Sequence, residues 1–154
     1  GAKPDDIANA VSEFIGLEHR IEWVRTIRGI DFINDSKGTN VGSVHKSLMS
    51  FSRPVILIAG GKDKGGDFLA LKKIFKEKVK HLILIGETKS KFRLMLNGSF
   101  SYEDAGSMED AIGRAIDKAE AGDVVLLSPG CASFDMFKDF VERGNRFKEI
   151  VNRL

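Results

Sequence analysis

The sequence predicts an α/β fold, a three-layer Rossmann-like domain with a mostly parallel sheet and an N-terminal β-hairpin at one edge. Three observations predict it. The runs VILI (55–58), LILI (82–85) and VVLL (124–127) are continuously apolar, as strands are when helices cover both faces of a parallel sheet. Segments of helical periodicity alternate with these runs. The pair Arg28-Gly29 separates two β-rich runs, 21–27 and 30–33, and an X-Gly pair in that position marks a hairpin.

Each element follows from its own residues. Asp5 and Asp6 precede apolar Ile7, Val11, Phe14 and Ile15, the pattern of a short helix with acidic residues in its first turn that stops at Gly16. After the hairpin, the helical period runs over 41–51. Then come a strand at 55–59, a helix at 68–79, a strand at 81–85 and a helix at 89–96. A short strand near 100–102, a helix at 108–121, a strand at 124–127 and a final helix from about Ser133 complete the chain. Trp23 alternates with Ile21 and Arg25 on one strand face and is expected to pack. Phe134, Phe137, Phe140 and Phe147 fall at helical spacings, so most are expected in the core.

Composition narrows the function. With 154 residues, 42% hydrophobic and 30% charged, the chain suits one domain with its own core. Its 24 basic and 22 acidic side chains leave a net charge of +2, which gives no case for a nucleic-acid or membrane-surface partner. Cys131 is the only cysteine, so no internal disulfide can form. With no apolar leader or membrane-length run, a reducing, cytoplasmic setting is expected.

In open parallel sheets, ligands bind outside the carboxyl ends of the strands. The loops predicted there cover 34–40, 60–67, 86–88, 104–107 and 128–133. The stretch INDSKGTN (33–40) carries more polar chemistry than a turn needs. An Asx-type turn uses Asn34 or Asp35, and a helix N-cap uses Thr39 or Asn40. Asp35, Ser36 and Lys37 are left over.

GGKDKGGD (60–67) is neither a GxxxxGK[ST] loop nor a GxGxxG fingerprint, because Lys62 stands where the middle glycine would be. It offers Lys62 and Lys64 to a carboxylate or phosphate, or is simply a solvated turn. SPGCASFD (128–135) precedes the last helix. Ser133 or a neighbour near the cap would either present free N–H groups to an anion or merely cap. Cys131 has no nucleophile signature, and a small buried thiol is the commoner fate. Just ahead of the hairpin, a lone His such as His19 is more often structural than catalytic, and an adjacent Arg such as Arg20 is more often a surface charge than a ligand contact.

Taken together, GLEHRIE (16–22), INDSKGTN, GGKDKGGDF (60–68), VVLLSPGCASFDMF (124–137) and FVERGNRF (140–147) resemble the C-terminal domain of the Mur ligases. The resemblance is greatest to the members that add D-glutamate, and it runs in the right order from about Gly16 to the end. It implies that residues 1–15 are the tail of a preceding central ATPase domain or a linker helix. Residues 16–154 would then be the amino-acid-binding domain.

The family is implied to use ATP and Mg to turn the carboxylate of UDP-linked muramoyl-alanine into an acyl phosphate, which the amine of D-glutamate attacks. By motif position the D-glutamate contacts fall on Thr39, Lys64, Ser133, Phe134 and Phe140. Nucleotide contacts (ATP or ADP) fall on Arg20, Asp35 and Lys37, with His19 close by. No catalytic or metal-binding residue is implied in this stretch; ATP and Mg would be held mainly by the central domain. The domain alone is therefore expected to be a monomer without ligase activity.

Gly38 and Gly130 stand where relatives often have Ala, a difference expected to matter little. The alternatives are the equivalent domain of another Mur or folylpolyglutamate ligase, or a free-standing Rossmann-like module that binds a nucleotide or an anionic metabolite.

Overall fold

Strands with no polar residue on either face must be covered twice, and the molecule does this with helices split between the two sides of one sheet. A computed structural model describes residues 16–154; the helix expected over 5–15 lies outside the described residues. The elements are β1 (Glu22–Ile27), β2 (Ile30–Asn34), α1 (Val41–Met49), β3 (Val55–Gly60), a 3-10 turn (Phe68–Leu71) leading into α2 (Lys72–Lys78), and β4 (Val79–Ile85). They continue as α3 (Lys89–Leu96), β5 (Tyr102–Asp104), α4 (Met108–Lys118), β6 (Val124–Leu127) and α5 (Phe140–Arg153). The sheet order is β1-β2-β6-β3-β4-β5. β1 is antiparallel to β2, and every other neighbouring pair is parallel.

The hairpin turns at Arg28 and Gly29, both at positive φ (52° and 78°), which matches the right-handed twist of the strands it joins. Val44 and Leu48 of α1, Phe75 of α2 and Phe92 of α3 cover one face of the sheet. Met108, Ile112 and Ala115 of α4 and Phe147 and Val151 of α5 cover the other. These two apolar layers give the three-layer arrangement the sequence predicts.

Several boundaries differ from expectation. The last helix starts at Phe140, not near Ser133. The Asp139 side chain accepts from the Glu142 N–H at 2.8 Å, and the Glu142 carboxylate reaches back to the Lys138 N–H at 2.5 Å, a reciprocal cap that fixes the start. Ser133 heads a separate turn, its carbonyl accepting from Met136 and Phe137, so it offers no helix N-terminus to an anion. β5 lies at Tyr102–Asp104 because these residues pair with Leu82, Ile83 and Leu84. Trp23 is not packed: it is 60% exposed on the edge strand, beside a bulge between Trp23 and Arg25. Of the four phenylalanines, Phe147 is core and Phe137 packs partly against it, but Phe134 is 70% exposed.

Gly60 shows how tightly the carboxyl ends of the strands are drawn together. It has φ +113°, and a Cβ there would lie 2.1 Å from the Ile85 carbonyl oxygen. Only glycine lets β3 and β4 close at this point.

Candidate functional site

β3 is followed by helices on one face of the sheet, and its neighbour β6 by α5 on the other. A crevice opens at the carboxyl end where two such strands meet. The loops after them are tied across it: Lys62 and Ala132 exchange backbone hydrogen bonds of 2.8 and 3.2 Å, and the Gly60 N–H donates to the Pro129 carbonyl.

The loop after β2 forms the third wall. Asn34 Oδ1 accepts from the Ser36 N–H (3.1 Å), making the Asx turn, and Asn40 Oδ1 accepts from the Ser43 N–H (2.9 Å), capping α1. Asp35 turns inward and is 3% exposed. Its Oδ2 accepts from the hydroxyls of Ser47 (2.5 Å) and Ser128 (2.7 Å), and its Oδ1 accepts from the Ile21 N–H (3.3 Å). Burial raises the Asp35 pKa, against the pull of the two hydroxyls, the Ile21 N–H and the Arg20 charge.

Ser36 donates to the Phe140 carbonyl (2.7 Å) and accepts from Arg143 Nε (3.0 Å). Lys37 is exposed, with its ammonium 5.9 Å from the centre of the Phe140 ring.

Two clefts flank this loop. The first, about 300 Å³, is lined by Arg20, Asp35, Lys37, Asn40, Ser43 and Lys46. Three cations around one buried carboxylate suit an anion that also carries hydroxyls. The second, about 480 Å³, holds Thr39, Val41, Lys64, Phe68 and Gly130. It pairs one ammonium and one hydroxyl with an apolar wall, a setting for a short carboxylate-bearing molecule. Residues 39–42 border both clefts, with Asn40 and Gly42 shared.

A family model described as "Mur ligase, glutamate ligase domain" matches residues 19–131. The chain belongs to this family. It is 51% identical, over all of its 154 residues, to the UDP-N-acetylmuramoylalanine–D-glutamate ligase of Geotalea daltonii, of which it covers 34%. The chain thus spans about a third of the length of the curated relatives it matches. Among solved structures, it superposes on a bifunctional folylpolyglutamate synthase/dihydrofolate synthase from Yersinia pestis with TM-score 0.67 and 16% identity, covering 98% of this chain and 35% of that one. For the UDP-N-acetylmuramate-alanine ligase of Thermotoga maritima the values are 0.66, 13%, 99% and 34%. At these identities the structures bear on the fold.

Within this Mur ligase domain the residues singled out from sequence divide into groups. Arg20, Asp35 and Lys37 share the first cleft, and Thr39 and Lys64 share the second. Lys62 is paired with Glu87 at 3.1 Å, whereas Lys64 has no ion-pair partner among the described residues, so Lys64 is the lysine available to a ligand. Ser133, Phe134 and Phe140 line neither cleft. Ser133 is buried, Phe134 is exposed and Phe140 packs edge-on against the His19 ring at 6.1 Å.

His19 is buried outside the first cleft. Its Nδ1 accepts from Asn34 Nδ2 at 2.9 Å, and its carbonyl accepts from the Lys37 N–H. Its placement supports Arg20 and Lys37 from behind. Gly38 and Gly130 matter more than their small size suggests: a Cβ on Gly38 would lie 2.6 Å from Asp35 Oδ2, and one on Gly130, at φ +67°, 3.0 Å from Val44 Cγ2.

Sequence reasoning missed Arg143, Ser47 and Lys46. Arg143 is fully buried and donates to Ser36 Oγ (3.0 Å), the Ser36 carbonyl (2.9 Å) and the Cys131 carbonyl (3.1 Å). It thereby locks the loop after β2 to the loop after β6. A signal was present: Arg143, Phe147 and Val151 are spaced four apart and so share the buried stripe of α5.

Cys131 is buried, and burial pushes its thiol up from 9.0 to about 11. Thiol reagents at neutral pH are therefore expected to modify it only as the domain unfolds. The neutral thiol's contribution to stability is fully present below pH 9.0 and is lost as pH rises to about 11. That loss amounts to roughly 2–3 kcal/mol, and urea melts at pH 8 and 10.5, compared with those of Cys131→Ala, would read it.

Among the described residues, no group of three or more His, Cys, Asp or Glu side chains could hold a metal ion, and no helix is long and apolar enough to cross a membrane.

Proposed function

We propose that the chain is the amino-acid-binding C-terminal domain of a cytoplasmic, ATP-dependent ligase that joins D-glutamate to UDP-N-acetylmuramoyl-L-alanine through an acyl phosphate. The observation that carries this reading is the pairing of a cationic cleft and a smaller-molecule cleft across residues 39–42, in a chain 51% identical to a D-glutamate ligase along its full length. Thr39 and Lys64 bind the amino acid's carboxylates. Arg20, Lys37 and Asp35 face the nucleotide. Ser133, Phe134 and Phe140 join the amino-acid site only when the preceding domains close over it.

The fit to ATP rests on the first cleft. Arg20, Lys37 and Lys46 match phosphate charge, and the Asp35 carboxylate can accept from sugar hydroxyls. Mg is held by the preceding domain. Bound ATP would supply the phosphoryl group that activates the carboxylate of UDP-N-acetylmuramoyl-L-alanine, the acyl donor. This chain holds the amine against the activated carbonyl, a positioning effect that can be worth roughly 7–11 kcal/mol.

The test is a fusion of this chain to the preceding two domains of the Geotalea daltonii ligase. The fusion is expected to form the amide with D-glutamate, and the 154-residue chain alone to form none. Lys64→Ala in the fusion is expected to raise the D-glutamate KM about tenfold or more, the size of losing one charge-assisted contact. A fusion that folds and hydrolyses ATP but ligates no D-glutamate contradicts the reading.

A further inference from the structure

Asp35 receives two hydroxyl donors on the same oxygen from two separate elements. Ser47 comes from α1 and Ser128 from the loop after β6, and both point at Oδ2, at 2.5 and 2.7 Å. A carboxylate oxygen offers about two lone-pair sites, so Oδ2 is filled. Oδ1 has one long contact, 3.3 Å from the Ile21 N–H, which leaves it a lone pair, and Asp35 is among the residues that line the cationic cleft. Gly38 makes the arrangement possible, since a Cβ there would lie 2.6 Å from Oδ2 and 2.9 Å from Ser128 Oγ.

We propose that Ser47 and Ser128 are positioning residues: they clamp Oδ2 of Asp35 so that the carboxylate stays ionised and presents Oδ1 to the hydroxyls of a ribose in the cationic cleft. This rests on reading that cleft as the nucleotide side. The clamp answers an electrostatic problem. Asp35 forms no salt bridge among the described residues, and burial favours its neutral form. A protonated carboxyl would spend a lone pair on its own hydrogen and accept poorly. The charged groups facing the cleft are Arg20 ahead of β1, Lys37 on the same loop and Lys46 on α1; the loop after β6 contributes only uncharged residues beside Asp35. Ser128 holds the charge from the loop after β6, and Ser47 holds it from α1, next to Lys46 in the lining of the cleft.

The test reads Asp35 directly, by carbon-detected NMR titration of the aspartate-labelled domain, whose two buried apolar layers make it a folding unit. Ser47→Ala and Ser128→Ala are each expected to raise the Asp35 midpoint by about one pH unit, the effect of removing one hydrogen bond from a charged acceptor. Ser47→Thr, which keeps the hydroxyl, is expected to restore it, with the amide spectrum of each variant reporting that it folds. A second arm compares ADP with its 2′,3′-dideoxy analogue. The unsubstituted domain is expected to prefer ADP and the alanine variants to lose that preference. Unchanged Asp35 midpoints in both alanine variants overturn the proposal, as does an undiminished preference for ADP. If the unsubstituted domain binds neither nucleotide, the nucleotide reading fails in this domain while the carboxyl titration still decides the clamp.

Discussion

Arg143→Ala is expected to lower the stability of the domain by about 3–5 kcal/mol, a large part of the 5–15 kcal/mol typical of a single domain. Two opposing effects set the size. Burial pulls the guanidinium down from its ordinary value to about 10, so holding the charge inside already costs roughly 3 kcal/mol that its removal would return. Against this, the variant strips the donor from two buried carbonyls and one hydroxyl, each worth about 1–3 kcal/mol when left unpaired. It also opens a cavity under the loops after β2 and β6, typically another 2–4 kcal/mol. The losses outweigh the return. Urea unfolding should show a reduced midpoint with an unchanged slope. Arg143→Lys should recover only a minor part, because one ammonium cannot reach all three acceptors as the planar fork does.

Gly144→Ala is expected to have the second largest effect, through His19. A Cβ on Gly144 would lie 2.2 Å from His19 Nδ1 and 2.9 Å from Cε1, closer than any real contact. The ring cannot yield easily. Its backbone sits at φ +64°, Asn34 holds its Nδ1, and its own N–H donates to Glu22. The expected outcome is expulsion of the ring, a loss of about 2–4 kcal/mol, and release of the Lys37 N–H from the His19 carbonyl. A double-mutant cycle checks the cause. In a His19→Ala background the clash is gone, so Gly144→Ala should be nearly neutral there, leaving a large coupling energy between the two sites. Simple additivity would show that the glycine matters for another reason.

The sheet was legible because its central strands had no alternative. Val55–Gly60 is buried at every position, and runs as apolar as VILI, LILI and VVLL are stable only between two helical layers. The hairpin was legible in two residues, Arg28 and Gly29. What stayed hidden depended on partners distant in sequence. Asp35 and Ser36 stand in an exposed-looking polar row, but the chain turns both inward, to Ser128, 93 residues away, and to Arg143, 107 residues away. Asp35 still lines the first cleft with Lys37, Thr39 lines the second, and Asn40 borders both. The excess polarity of INDSKGTN therefore has two sources, a lock that joins the loops after β2 and β6 and a short face turned to the two clefts.

The start of α5 was misplaced for a local reason. The spacing of Phe134, Phe137 and Phe140 continues a helical rhythm, and the D-x-x-E cap at Asp139 and Glu142 overrides it. Strand alternation predicts packing for Trp23, but it cannot tell a covered face from an open one at the edge of a sheet.

We propose that Thr39 and Lys64 form a D-glutamate site next to a nucleotide cleft. It is tested most directly by recording amide NMR shifts of the labelled domain during titration with D-glutamate, L-glutamate and ADP, repeated with Thr39→Val. D-Glutamate shifts are expected to cluster at Thr39, Lys64 and Gly130, to be weaker with L-glutamate and to be lost in Thr39→Val, with ADP shifts at Arg20, Lys37 and Lys46. Glutamate shifts elsewhere on the domain, or ADP moving the Thr39 and Lys64 loops while glutamate moves nothing, would contradict it and favour a nucleotide- or anion-binding module instead.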